Sequence, residues 1–104
     1  MNKTLSLLTI CRKAGKLEMG MDPVKDACNS FKAKCVLVTT DISPKSLKEI
    51  KYVCHDRNIP IYQLDVNTEE TWSALGRKCV VLAVCDKGFE KKLSQMLEPV
   101  EINK

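Results

Sequence analysis

Aromatic side chains are scarce, with two Phe, two Tyr and one Trp making up 5% of the 104 residues. Single-strand platforms, on which successive bases stack, interleave aromatics with cations. No such platform is expected here. A lone histidine, His55, leaves little scope for imidazole chemistry. It lies in "CHD", Cys54-His55-Asp56, which orders a nucleophile, a base and an acid. Neighbours on a helix point about 100° apart, however, and cannot form a relay, so His55 reads as an exposed helical residue. Glycine and proline, four of each, are too few for a low-complexity linker. Nothing approaches the run of roughly 18 apolar residues that a membrane span needs. The start "MNKTLSLLTIC" is interrupted by Ser6 and Thr9, and Ile10 is a poor residue before a cleavage site. It is not expected to be an export signal, and the expected location is a reducing cytoplasm, away from any membrane.

Six cysteines are many for so short a chain. Cys11, Cys28, Cys35, Cys54, Cys79 and Cys85 all fall inside apolar helix or strand patterns rather than loops, and no Cys-x-x-Cys occurs. They are expected to be reduced core thiols, with neither a disulfide framework nor a metal site. The piece "AGKL" looks like the end of a phosphate-binding loop, but the upstream glycine at the required spacing is missing. No cofactor is expected. Asp41 and Asp86 follow strand ends, where open α/β sheets gather ligands. Both also stand near helix starts, where acids cap and complement the dipole, and the structural role is favoured.

The length suits one compact domain, expected over residues 1–98 with an untethered tail over 99–104. Leu7, Leu8, Ile10, Cys11 and Ala14 share one face of a first helix. Gly15 ends it, "KLEMG" crosses as a short extended piece, and Asp22-Pro23 is expected to start a second helix that buries Val24, Ala27, Cys28 and Phe31. "CVLVTT" and "CVVLAV" read as strands covered on both faces, and "IPIYQL" as a third strand. Between them, Ser43-Pro44 starts a helix with Leu47, Ile50, Val53 and Cys54 inward, and "NTEETWSALG" forms a short one ended at Gly76. Asp86 opens a last helix with Phe89, Leu93, Met96 and Leu97 inward. Helices alternating with buried strands predict a three-layer α/β/α sandwich around a largely parallel sheet.

Charge is unevenly spread. Residues 1–35 hold Lys3, Arg12, Lys13, Lys16, Lys25, Lys32 and Lys34 against Glu18, Asp22 and Asp26, and so supply the whole net charge of +4. A polyanion responds to such local excess more than to the average. The densest part is "RKAGKLEMGMDP", a basic knuckle around Gly15 that runs through Gly20 to a helix start. Helix N-termini offer free N–H groups and partial positive charge. If the turn at Gly15 folds back, Arg12, Lys13, Lys16 and Lys25 converge on that end and form a footprint for a phosphate backbone.

The ordered set "RKAGKLEMG", "KAKCVLVTTDISPKSL", "NIPIYQL" and "VVLAVCDKGF" resembles the RNA-binding superfamily of the ribosomal proteins L-seven-Ae, L-thirty-e and S-twelve-e, especially its small bacterial YlxQ-like branch. The resemblance runs from about Leu5 to Phe89. It implies a four-stranded mixed sheet between helices, no enzymatic activity, and binding of structured RNA, typically at kink-turns. In the kink-turn binders the second helix begins Gly-x-Asn-Glu-x-x-Lys, and an apolar loop before the last strand covers a flipped-out nucleotide. Gly20 matches the glycine, whereas Asp22 stands at the Asn, Pro23 at the Glu and Asp26 at the Lys, with Lys25 one residue early. The later loop, "LGRKCV", is cationic at Arg77 and Lys78.

Together these features predict a non-enzymatic RNA-binding protein, ribosome-associated or bound to a kink-turn-like RNA, with ribosomal RNA and ribonucleoprotein proteins as candidate partners. Its expected contacts are Arg12, Lys13, Lys16, Gly20, Met21, Asp22, Lys25, Arg77 and Lys78. A protein-interaction adaptor on the same fold is the alternative, and a small enzyme using the strand-end acids comes third.

Overall fold

The computed structural model describes residues 2–101. Helix α1 (Lys3–Lys13) is followed by strand β1 (Leu17–Met19), α2 (Met21–Asn29), β2 (Cys35–Val38), α3 (Pro44–Arg57), β3 (Ile61–Gln63), α4 (Thr68–Leu75), β4 (Val81–Val84), α5 (Lys87–Met96) and β5 (Glu98–Val100). The strands form one sheet in the order β1-β4-β2-β3-β5. Side chains alternate between its faces, as strand geometry requires. Leu17, Met19, Cys35, Leu37, Leu82 and Val84 pack with Leu5, Leu8 and Cys11 of α1, Leu75 of α4 and Leu93 of α5. Val36, Val38, Ile61, Val81 and Ala83 pack with Val24, Ala27 and Cys28 of α2 and with Ile50 and Cys54 of α3. The result is the expected three-layer sandwich. Each fully buried Leu or Val contributes about 1.5–3 kcal/mol relative to exposure.

The sheet is mixed, as the resemblance implies, but it is not largely parallel. Only β2–β3 runs parallel, while β1–β4, β2–β4 and β3–β5 are antiparallel. The continuous apolar runs of β2 and β4 reflect cover by helices on both faces, and that cover leaves the same pattern whichever way the strands run. A fifth strand extends the expected four. β5 places Pro99 opposite Tyr62 and Val100 opposite Ile61, so this part of the expected tail is tied to the sheet. Its "EPV" carries no apolar alternation to announce it, and proline is tolerated there because the strand is an edge. Residues 102–104 of the expected tail, like Met1 of the start, lie outside the described residues.

The predicted caps at Ser43 and Asp86 are present, accepting from the N–H groups of Ser46 and Phe89. α4 starts with a capping box between Asn67 and Glu70 and ends at left-handed Gly76. α2 starts earlier than expected: Gly20, with φ 103°, is its N-cap, and Asp22 sits inside the first turn. Pro23 is accommodated there because first-turn N–H groups lack intrahelical acceptors.

Several expected core positions face outward. Ile10 and Ala14 are exposed, and Thr4 and Leu5 are buried in α1 instead. Met96 is exposed, and Leu47, Val53, Phe89 and Leu97 are half-buried. Phe31 departs most: it is 65% exposed, because α2 ends at Asn29 and Phe31 turns away with φ 62°. Five cysteines are buried and Cys85 is partly exposed. Burial pushes the Cys11 thiol up to about 12.

Candidate nucleic-acid interface

Gly20 stands where β1 ends and α2 begins. Its N–H donates to the Val81 carbonyl at 3.0 Å, which fixes the start of α2 beside the start of β4. No side chain caps this helix, so the first-turn N–H groups at Met21 and Asp22 point out of the helix end with partial positive charge. The positive φ at Gly20 favours glycine.

The opposite wall comes from the chain entering β4. Left-handed Gly76 ends α4 and releases the segment Arg77, Lys78, Cys79, Val80. Val80 is held by Thr39, whose N–H donates to its carbonyl at 3.0 Å. The Lys78 ammonium lies over the Trp72 ring, 5.7 Å from its centroid, and Trp72 is half exposed. Arg77 is exposed.

The floor and rear are polar. Asp41, after β2, accepts from both the N–H of Thr68 at 3.0 Å and its hydroxyl at 2.8 Å. Those bonds hold the Asp41 carboxyl below the usual carboxylate range. They also tie the β2–α3 connection to the start of α4, the structural role expected of this acid. Gly20, Met21, Asp41, Thr68, Lys78, Cys79 and Val80 together line an open cleft of about 570 Å³. A neighbouring recess of about 230 Å³ continues over Asn67, Glu69 and Trp72.

The cleft unites Gly20, Met21 and Lys78 from the expected contacts, with Asp22 and Arg77 next to them in the chain. Lys25 is turned to α3, where its ammonium pairs with Glu49. Arg12, Lys13 and Lys16 do not converge on the cleft. Lys16 precedes β1 and its carbonyl accepts from the Cys85 N–H at 2.8 Å, at the far end of β4. Four residues of extended chain, about 13 Å, separate Lys16 from Gly20. The turn at Gly15 delivers the chain into β1, which carries it away from the knuckle to Gly20. Among the described residues, no group of three or more His, Cys, Asp or Glu side chains is arranged to hold a metal ion.

The α2 start and the loop before β4, the two segments set against the kink-turn pattern above, are thus walls of one cleft. Residues 2–94 match the model of the Ribosomal protein L7Ae/L30e/S12e/Gadd45 family. The chain belongs to this family. Among its relatives is the RNA-binding protein YlxQ of Enterococcus faecium, 29% identical over 96 residues, which cover 92% of each chain. The RNA-binding protein YlxQ of Bacillus subtilis (strain 168) is 32% identical over 97 residues, 88% of this chain and 92% of the relative. A solved structure, described as a protein with unknown function from Bacillus halodurans C, has a TM-score of 0.84 at 28% identity over 92% of this chain and 97% of that one.

Family membership does not supply the cleft's details. Thr68 of the cleft and Trp72 of the adjoining recess are not among the expected contacts, and Asp41 is expected only as a structural acid. Periodicity gives no clear signal for Trp72: Thr68, Thr71 and Leu75 form the buried stripe of α4, and Trp72 lies at its edge, about 40° from Thr68 and 100° from Thr71.

Proposed function

We propose that this chain is a non-enzymatic RNA-binding protein that takes a structured RNA into the cleft, either a kink-turn-like RNA or one on the ribosome. The observation that carries the reading is the cleft itself. The N-terminus of α2 and the segment before β4, far apart in sequence, line a single open space of about 570 Å³, in a family whose relatives include proteins named RNA-binding. The N–H groups at Met21 and Asp22 donate to phosphate or base oxygens. Arg77 and Lys78 neutralise backbone charge, and the ring of Trp72 keeps Lys78 beside the cleft. Asp22 accepts from guanine N–H groups, a role open to a carboxylate but opposed by nearby phosphates.

Fluorescence anisotropy with labelled kink-turn, duplex and single-stranded RNA at several salt concentrations tests this. Removing the charge of Arg77 and Lys78 together should weaken binding to all structured RNAs and flatten the logarithmic salt dependence by somewhat less than about one unit per phosphate released. Asp22→Asn with Asp26→Lys should raise affinity for the kink-turn over the duplex, since two negative charges leave the helix that borders the cleft. Equal binding by the native protein and the Arg77/Lys78 variant at low salt would rule the cleft out as the RNA site. Partners that stay bound to the chain after ribonuclease treatment would favour the adaptor.

A further inference from the structure

The basic knuckle has company at its end of the sheet. β1, β2 and β3 all begin there, so the segments leading into them gather around the end of β4. Lys16 bonds Cys85 through its carbonyl, the Lys34 N–H donates to Val84 at 2.7 Å, and the Val36 N–H donates to Pro60 at 2.9 Å. Arg12, Lys16 and Lys32 are exposed and Lys34 half-buried. The ion pairs among the described residues, Lys25–Glu49 and Arg57–Asp56, involve none of these four.

Phe31 directly precedes Lys32, past the end of α2 and on the face of the sheet that α2 and α3 cover. It occupies the position after a helix end where glycine is usual, because L side chains are strained at positive φ. Its φ is 62° and its side chain is 65% exposed, so the strain is not returned as core burial. The ring is nevertheless held in place. Arg57 lies 5.5 Å from its centroid, and the Arg57 Nε–H donates to Asn29 Oδ1 at 3.1 Å. One face is thereby backed by a guanidinium. The cations at the ends of α1 and α3 also complement helix dipoles; an exposed, strained phenylalanine has no such structural reason.

We propose that this end of the sheet is a second RNA contact, separate from the cleft, which takes an unpaired nucleotide by stacking its base on Phe31 and laying the adjoining phosphates along Lys32, Lys34 and Lys16. The proposal rests on the chain being an RNA-binding protein, but not on the cleft. Every base has a π face, so the contact tolerates sequence. It places an unpaired strand about 13 Å or more from any RNA in the cleft, measured along β1.

The test uses the full chain with a fluorescein-labelled uridine pentamer and, separately, a kink-turn RNA. Trp72 is the only tryptophan and lines the cleft's adjoining recess, so its emission reports on the cleft. The pentamer should bind without altering Trp72 emission. Phe31→Leu should weaken pentamer binding about tenfold, within the range for loss of one base–aromatic stack. Phe31→Tyr, which keeps the ring, should bind within about twofold of the native protein. Kink-turn binding should be unchanged in both variants. If the pentamer fails to bind while the kink-turn binds, the second contact is overturned and the cleft reading stands. Pentamer binding that depends on Phe31, with no kink-turn binding, supports the second contact and sinks the cleft. Undiminished pentamer binding by Phe31→Leu, or competition between the pentamer and the kink-turn for Trp72, also overturns it.

Discussion

Before the start of β4, Cys79 and Val80 border a cleft with Gly20, Asp41 and Thr68; past its other end, Cys85 lies beside Lys16 and close to Glu18, Lys32 and Lys34. The same strands therefore serve two surfaces of different character. Around the cleft, helix starts bring open N–H groups and acids, with Asp22 in the first turn of α2 and Glu69 and Glu70 in that of α4. Lys78 is the cation of its lining, with Arg77 next to it in the chain. At the knuckle end, α1 and α3 finish with basic last turns, as favoured by the negative ends of their dipoles. A fold that points several helices the same way separates charge along the strand direction, and a polyanion meeting it feels two surfaces rather than one average.

The shared scaffold is the harshest place to test that division. Leu82 is fully buried and pairs with both Met19 and Leu37. Leu82→Ala should lower stability by about 2–5 kcal/mol in denaturant titration, with RNA binding at both surfaces abolished in one transition. Separate transitions for the two would show that the ends fold independently. A more selective break is Gly20→Val. A Cβ there meets only Pro23 Cδ at 3.7 Å, an ordinary contact, so the cost is backbone strain at φ 103°, on the order of 1–3 kcal/mol. Kink-turn affinity should fall while pentamer affinity survives, and the reverse pattern would misassign the ends. The smallest effect belongs to His55, exposed on α3. His55→Ala should change stability by no more than about 0.5 kcal/mol and leave both RNA affinities alone; a fall in either would give the imidazole a role that its surroundings do not suggest.

The cleft end was partly legible in the sequence because its two walls each carry a local signal: a glycine before a helix, and a cationic turn after Gly76. What joined them was not local. The antiparallel pairing of β1 with β4 brings Gly20 to Val81, and apolar runs that are buried on both faces do not encode strand direction. The same pairing sends Arg12, Lys13 and Lys16 to the other end, against the expected convergence. Phe31 shows a different limit. Its spacing from Val24, Ala27 and Cys28 fits the buried stripe of a longer helix, and only the end of α2 at Asn29 takes it out of the core. Periodicity assigns a residue to a face only while the helix continues.

Backbone amide shifts in a nuclear magnetic resonance titration with a kink-turn RNA report on the cleft without an intermediary, because the proposed donors are themselves amides. RNA held in the cleft gives the largest changes at Met21 and Asp22 and across Arg77 to Val80, saturating together at one RNA per chain. Unmoved signals at those residues, with changes confined to the α1–α5 groove around Leu7, Ile10 and Met96, would contradict it.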